Sequence, residues 1–199
     1  MSLVTTDATL YWQTRHLTAG PEWVDRYWQS RAMPHRAQII RALRSLAPFA
    51  SVYEAGCNAG PNLACIRAAW PAVTLAGCDV NPRAVAWATE WLVGARITCE
   101  SLLDALVTLA PHAHDVILSC YALAYLGPDD VATAISLMRR AARLGIVVAE
   151  PMGPRSERVD GLDYPEWRHP YQALMPRGEF CAVQPPADRL NGLIVERCA

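Results

Sequence analysis

Between residues 50 and 150 the chain keeps switching between two hydrophobic patterns, and this alternation limits the fold more than any other feature. Short apolar runs stand at ASVYEAG, AVTLAGCD, ARITCE, HDVILSCY and LGIVVAE. Each is too short for a typical helix and reads as a buried strand. Longer windows rich in alanine and leucine separate them: PNLACIRAAW, PRAVAWATEWL, SLLDALVTLA and DDVATAISLMRRAAR. These carry helical period and propensity. Such alternation predicts a parallel sheet covered by helices on both faces and joined by right-handed crossovers.

Turn chemistry agrees with the periodicity. Asn81 before Pro82 puts a capping side chain ahead of a proline at the first helical position. Pro61 after Gly60 opens another helix, and Gly127-Pro128-Asp129-Asp130 supplies a turn and a cap for a third.

The flanks differ from this core. Residues 1–48 are aromatic and basic, and from Arg36 onward Ile39, Ile40, Leu43 and Leu46 fall at helical spacing, with Pro48 just beyond. After residue 150 the stretch PMGPRSERVDGLDYPEWRHPYQALMPRG has no strong period, and a loop of that length in a compact domain is often functional. EFCAVQ and GLIVERCA then read as two closing strands. The expectation is one domain over 1–199, made of an N-terminal helical segment (1–48), a core (49–150), and a substrate loop with closing strands (151–199).

A chain of 199 residues, 52% hydrophobic and 19% charged, is long enough for one full core. Its formal net charge of −1 exerts no general pull on nucleic acid or anionic membrane. No apolar stretch reaches the roughly 20 residues that span a bilayer. The opening MSLVTTDATLYWQ lacks a basic region followed by an apolar one, so a cytoplasmic location is expected. Seven cysteines without a C-x-x-C pair fit buried thiols in a reducing compartment, and the five histidines show no zinc-ligand spacing. No metal site is expected.

The first strand ends in VYEAGCNAGPNL. A dinucleotide fingerprint counted from Gly56 would need glycine at Asn58 and at Pro61, and neither position has it. The phosphate-loop signature fails too, because no G-K-[ST] follows. What stands there is E-x-G-x-N-x-G. A carboxylate two residues before the first glycine repels a phosphate and favours a cationic ligand. Asp79, 25 positions after Glu54 and at the end of the second strand, suits a ribose diol. The pattern therefore points to a ligand with a ribose and a positive charge but no phosphate, and S-adenosylmethionine is such a molecule.

With these residues in place, the sequence resembles the class I S-adenosylmethionine-dependent methyltransferases, whose glycine motif runs acid-x-Gly-x-Gly-x-Gly. Glu54, Gly56 and Gly60 match, and Asn58 replaces the middle glycine. GCDVNPRAVAWA is similar to the family's ribose-binding segment, and HDVILSCYALAYL to its fourth motif. The resemblance covers roughly residues 50–150. It implies a Rossmann-like three-layer α/β/α sandwich with a mainly parallel seven-stranded sheet and an antiparallel last strand. It also implies S-adenosylmethionine as cofactor and S-adenosylhomocysteine as product. The cofactor residues carried over are Glu54, Gly56, Asn58, Gly60 and Asn62 in the turn, and Asp79 with Val80 and Asn81 flanking the adenine. Ser101 stands where an acid often binds the adenine amino group, and Cys120 and Tyr121 lie beside the methionine end. Tyr11, with Trp12, Trp23, Tyr27 and Trp28, either packs a helix pair onto the sheet or forms a lid over the cofactor. Asparagine tolerates left-handed geometry, so the turn survives Asn58.

Methyl transfer needs alignment, exclusion of water and, for a hydroxyl nucleophile, a base. His169 is the leading base candidate because histidine titrates near neutral pH, although a surface histidine in a polar loop is the plainer reading. Tyr125, Tyr121 and Glu150 are further pocket candidates at strand ends. The expected acceptor is a small molecule, since the arginines of the N-terminal third are interleaved with acids and apolar residues. A non-catalytic binding module on the same fold, an RNA or protein methyltransferase, and a nucleotide-dependent reductase stand as alternatives. Oligomeric state has no signature in the pattern.

Overall fold

The structure, a computed structural model, describes residues 7–20, 22–160, 164–187 and 190–198. The opening MSLVTT and the GLD of the proline-rich loop lie outside the described residues. Three helices come first: α1 (Asp7–Thr18), α2 (Trp23–Gln29) and α3 (Pro34–Leu46). Five strands and four helices then alternate: β1 (Ser51–Ala55), α4 (Pro61–Ala69), β2 (Thr74–Asp79), α5 (Pro82–Trp91), β3 (Arg96–Cys99), α6 (Leu102–Thr108), β4 (His114–Cys120), α7 (Pro128–Ala141) and β5 (Ala142–Glu150). A small pair β6 (Glu157–Val159) and β7 (Glu166–Arg168) and one helical turn α8 (Tyr171–Leu174) precede β8 (Glu179–Ala187) and β9 (Leu190–Arg197).

Seven strands form one sheet in the order β3-β2-β1-β4-β5-β9-β8. The first five pair in parallel, and β9 runs antiparallel to both β5 and β8. Strand order reverses between β1 and β4, which places the crevice of the fold at their carboxyl ends. Because side chains alternate across a strand, the two sheet faces carry separate cores. Val52, Leu75, Val116, Leu118 and Val147 pack with Leu43 of α3 and Leu63 and Ile66 of α4. Tyr53, Ala76, Ile117, Ile146 and Val148 pack with Leu106 of α6 and Ile135 and Met138 of α7. The three layers follow from that division.

The predicted caps form. The Asn81 side chain accepts from the backbone N–H groups of Arg83 and Ala84 at the start of α5, and prolines open α4, α5 and α7. Three expectations need correction. The segment before β8 is not structureless: Glu157–Val159 and Glu166–Arg168 pair antiparallel, with Val159 and Trp167 as residues that favour strand. ARITCE is an exposed edge strand and not a buried one. The helical window before LGIVVAE stops at Ala141, and β5 starts at Ala142 with no loop between them. Among the described residues no helix is long and apolar enough to cross a membrane, and no cluster of side chains suits a metal ion.

Candidate active site

The glycine turn joins β1 to α4. Gly56, Asn58 and Gly60 have φ of +75°, +49° and +77°, three left-handed positions within five residues. A Cβ on Gly56 would meet the Ala122 Cβ at 2.4 Å, and one on Gly60 would meet Leu92 Cδ1 at 2.5 Å. The protein's own side chains therefore approach the turn closely at both glycines. Asn58 takes the left-handed conformation expected of it, and its Oδ1 accepts from the Ala59 N–H at 2.7 Å.

Asp79 ends β2 and ties two turns together. Its Oδ2 accepts from Asn58 N at 2.7 Å and its Oδ1 from Asn81 N at 2.9 Å. Burial pushes its carboxyl up to about 6 against these two donors. Both oxygens thus have backbone partners, and each keeps acceptor capacity for a further donor.

A chain of polar groups runs beside the turn. Glu54 is 1% exposed, and its Oε1 accepts from Asn62 Nδ2 at 2.5 Å. Asn62 Oδ1 in turn accepts from Arg36 Nη1 at 2.6 Å. Arg36 reaches in from α3 and also lies 3.6 Å from Cys120 Sγ at the end of β4. Burial raises the Glu54 carboxyl to about 8, outweighing Asn62 and Arg36. Glu54 Oε2 is buried without a hydrogen-bond partner. An orphaned carboxyl oxygen near a guanidinium fits the amino-acid end of a ligand, whose ammonium would draw the carboxyl into its ionised form and whose carboxylate would meet the guanidinium. Burial holds the Cys120 thiol up at about 11, so it is not a thiolate at neutral pH.

Past β4 the chain makes a tight turn. Tyr121 has φ +58°, and its N–H donates to Ala149 O at 3.0 Å. Its Oη donates to Glu166 Oε2 at 2.7 Å. Glu150, fully buried at the end of β5, accepts from Ser119 Oγ and from the N–H groups of Ala122, Leu123 and Ala124 at 2.9–3.2 Å. Burial raises its carboxyl to about 7 in spite of these donors. Glu150 therefore holds the turn in place and does not present a carboxylate to the crevice.

The structure does not present His169 as a base. The residue is 0% exposed, its Nε2 stands 3.0 Å from Leu126 O, and its Nδ1 stands 3.0 Å from Ser156 Oγ. A carbonyl only accepts, so Nε2 carries the proton and Nδ1 accepts from the serine hydroxyl. Burial lowers its pKa, which keeps the ring neutral. The histidine is neither a surface residue nor an open base. It braces the Leu126 end of the turn from inside.

Other expected contacts are also taken up by structure. Asn81 is 0% exposed, with Oδ1 capping α5 and Nδ2 donating to Trp12 O at 2.7 Å, so both ends of its amide have protein partners. Ser101 caps α6, accepting from Asp104 N and donating to Asp104 Oδ2. Val80 is half-exposed between Asp79 and Asn81. Tyr125 meets Trp12 at 4.9 Å between ring centroids, Tyr121 at 6.2 Å and Tyr164 at 6.2 Å. Tyr11 packs on Tyr164 at 4.7 Å, so α1 is fastened by Trp12 to the turn after β4 and by Tyr11 to the residues before β7.

Three residues escaped the sequence reading. Arg36 serves there only as the start of a helical spacing, whereas its side chain reaches Asn62. Glu166 and Ser156 sit in the aperiodic segment; Glu166 bonds Tyr121 directly, and Ser156 bonds His169, which in turn meets Leu126. An acid and a histidine three apart in EWRHP were the available signal, but nothing local says which element they meet.

Comparison with known proteins adds the following. Residues 52–145 match the family model described as Methyltransferase domain. No curated protein matches the chain. Magnesium protoporphyrin IX methyltransferase from Synechocystis PCC 6803, solved with bound S-adenosylmethionine, superposes at a TM-score of 0.71 and 11% identity, covering 100% of both chains. A Leishmania major S-adenosylmethionine-dependent methyltransferase reaches 0.71 at 18% identity, covering 96% of this chain and 80% of that one. An amino pentose methyltransferase from Micromonospora echinaspora gives 0.64 at 15% identity, covering 88% of this chain and 96% of that one. At these identities the likeness to the solved structures is one of fold.

Proposed function

We propose, from the match of residues 52–145 to a methyltransferase-domain model, that this chain uses S-adenosylmethionine to methylate a small-molecule acceptor. The observation that carries the reading is the Glu54–Asn62–Arg36 chain beside the glycine turn, with Glu54 Oε2 buried and unpartnered. Glu54 would receive the ligand's ammonium, Arg36 its carboxylate, and Asp79 the ribose hydroxyls. When bound, this cofactor supplies an electrophilic methyl group on a sulfonium. The chain's part is to align the acceptor, to exclude water, and to hold the turn after β4 with Glu150 and His169. Residues 1–48 act as a lid, a role supported by the Asn81–Trp12 bond that anchors α1 over the end of β2.

A small acceptor is supported by the net charge of −1, which offers no broad basic face to a nucleic acid. The magnesium protoporphyrin IX and amino pentose methyltransferases of like fold point the same way. A cytoplasmic location belongs to the same proposal and is supported by the seven free cysteines. Isothermal titration of the full chain with S-adenosylhomocysteine tests the reading. Binding in the micromolar range is expected, and no heat at high protein concentration would sink it.

A further inference from the structure

We propose that Tyr121 and Glu166 together take the proton from an acceptor hydroxyl, which makes the methylated atom an oxygen. The inference rests on the methyltransferase reading and narrows its acceptor. Tyr121 follows directly on Cys120, the last residue of β4, at the edge where the glycine turn and the Glu54–Asn62–Arg36 chain meet. Its left-handed backbone is unusual for a residue with a Cβ, and the N–H bond to Ala149 O fixes it. That conformation aims the phenol at Glu166, 2.7 Å from Oη to Oε2. Glu166 is 0% exposed and comes from β7, an excursion off the main sheet. A phenol oxygen that donates its own proton can still accept another.

Four other titratable groups at this edge have other work. Glu150 accepts from four donors, and both ring nitrogens of His169 are engaged. Glu54 is bonded to Asn62 and is taken by the ligand's ammonium in the proposed reading, and burial raises the Cys120 thiol to about 11. A carboxylate or thiolate acceptor would need no base, whereas a hydroxyl does. In the step, the acceptor O–H bond breaks and its proton moves to Tyr121 Oη. The Oη–H bond breaks in turn, and that proton goes to Glu166 Oε2. The acceptor oxygen keeps the electron pair and becomes the nucleophile. Tyr121 would touch the substrate, and Glu166 acts through it. The neighbouring rings of Tyr125 and Trp12 favour an acceptor whose hydroxyl sits on a flat, largely apolar body.

4-Nitrophenol is the probe, because its phenolate absorbs visible light and its phenol form does not. The full chain, saturated with S-adenosylhomocysteine, is titrated into the probe at about pH 6, where the free probe is mostly protonated. The wild type should raise the phenolate absorbance about threefold or more. Tyr121→Phe and Glu166→Gln should each abolish the rise, and Glu166→Gln should still bind S-adenosylhomocysteine within about threefold of wild type. Glutamine keeps an acceptor for the Tyr121 hydroxyl but takes no proton, so a purely structural contact would leave the absorbance change intact. A wild type that binds S-adenosylhomocysteine but leaves the probe protonated overturns the assignment, as does a Glu166→Gln variant that still ionises it. Failure of the wild type to bind S-adenosylhomocysteine at all overturns the methyltransferase reading and this inference with it.

Discussion

The Ala122 methyl group fills the space that any side chain on Gly56 would need, since the two Cβ positions would lie 2.4 Å apart. The turn after β1 and the turn after β4 therefore interlock at the carboxyl edge of the sheet. Gly56 is also left-handed at φ +75°. Its lack of a side chain answers to a neighbour in the fold, whatever ligand lies alongside.

Gly56→Ala should accordingly lose stability from two sources. Left-handed backbone costs a residue with a Cβ about 1–2 kcal/mol, and overpacking against Ala122 adds about 1–3 kcal/mol. Urea unfolding measures the sum. Adding Ala122→Gly should recover the overlap part and leave the backbone part. A double variant that recovers nothing would show that the two turns are not in contact.

Asn58→Gly should be nearly silent, with a stability change under about 1 kcal/mol. The left-handed conformation suits glycine, and the bond to Asp79 comes from the backbone N–H, which the variant keeps. What is lost is the short Oδ1 contact to Ala59 N. Asn58→Val should cost about 2 kcal/mol or more, because a β-branched residue resists that backbone. Thermal melts and titration with S-adenosylhomocysteine check both. Lost affinity in the glycine variant would give the Asn58 side chain a direct role at the ligand.

Asp79→Ala should weaken S-adenosylhomocysteine binding by about 1–3 kcal/mol and lower folding stability by a similar amount. The second effect arises because the N–H groups of Asn58 and Asn81 both lose their acceptor. Asp79→Asn, which keeps one acceptor oxygen, should fall between wild type and alanine in stability. Calorimetric binding and denaturant midpoints separate the two effects. Unchanged affinity in the alanine variant would mean that this acid does not hold the ribose.

Stability of the ligand-free protein should fall as pH rises from about 5 to about 9. Burial raises the carboxyls of Asp79 to about 6, Glu150 to about 7 and Glu54 to about 8, all above their unfolded values. The folded state then binds more protons than the unfolded chain, so stability drops through each folded pKa in turn. Asp115 and Glu196 are shifted down, Glu196 chiefly by its bond to Arg139 and Asp115 by donors from Ala50 and Arg143 that outweigh its burial. Their contribution is present above the ordinary carboxylate range and fades below it. Equilibrium unfolding at pH 5.5 and pH 8.5 should differ by roughly 3 kcal/mol or more. Glu54→Gln should flatten the curve between about pH 7 and pH 9, and an unaltered slope would remove Glu54 as its source.

Much of the frame was legible without coordinates. Val52 and Tyr53 alternate on the first strand, and each proves to face a different core. Asn81 before Pro82 read as a helix start, and it is one. Such signals survive in sequence because their partners sit two to four residues away, within one element. The order of the glycine turn, Asp79 and the segment after β4 was also readable, since a parallel sheet puts successive strand ends on one edge.

The roles of individual polar groups followed other rules. His169 looked available in a polar loop, yet Leu126 and Ser156 hold both its nitrogens. Asn81 caps the helix it precedes, and its amide also bonds Trp12, 69 positions away. Arg36 meets Asn62 across 26 positions, and Tyr121 meets Glu166 across 45. The sequence by itself determined the sheet, its two apolar faces and the edge where chemistry collects. Which donor meets which acceptor there was decided by tertiary structure, because a buried polar group takes whatever partner the packing of distant elements brings within about 3 Å.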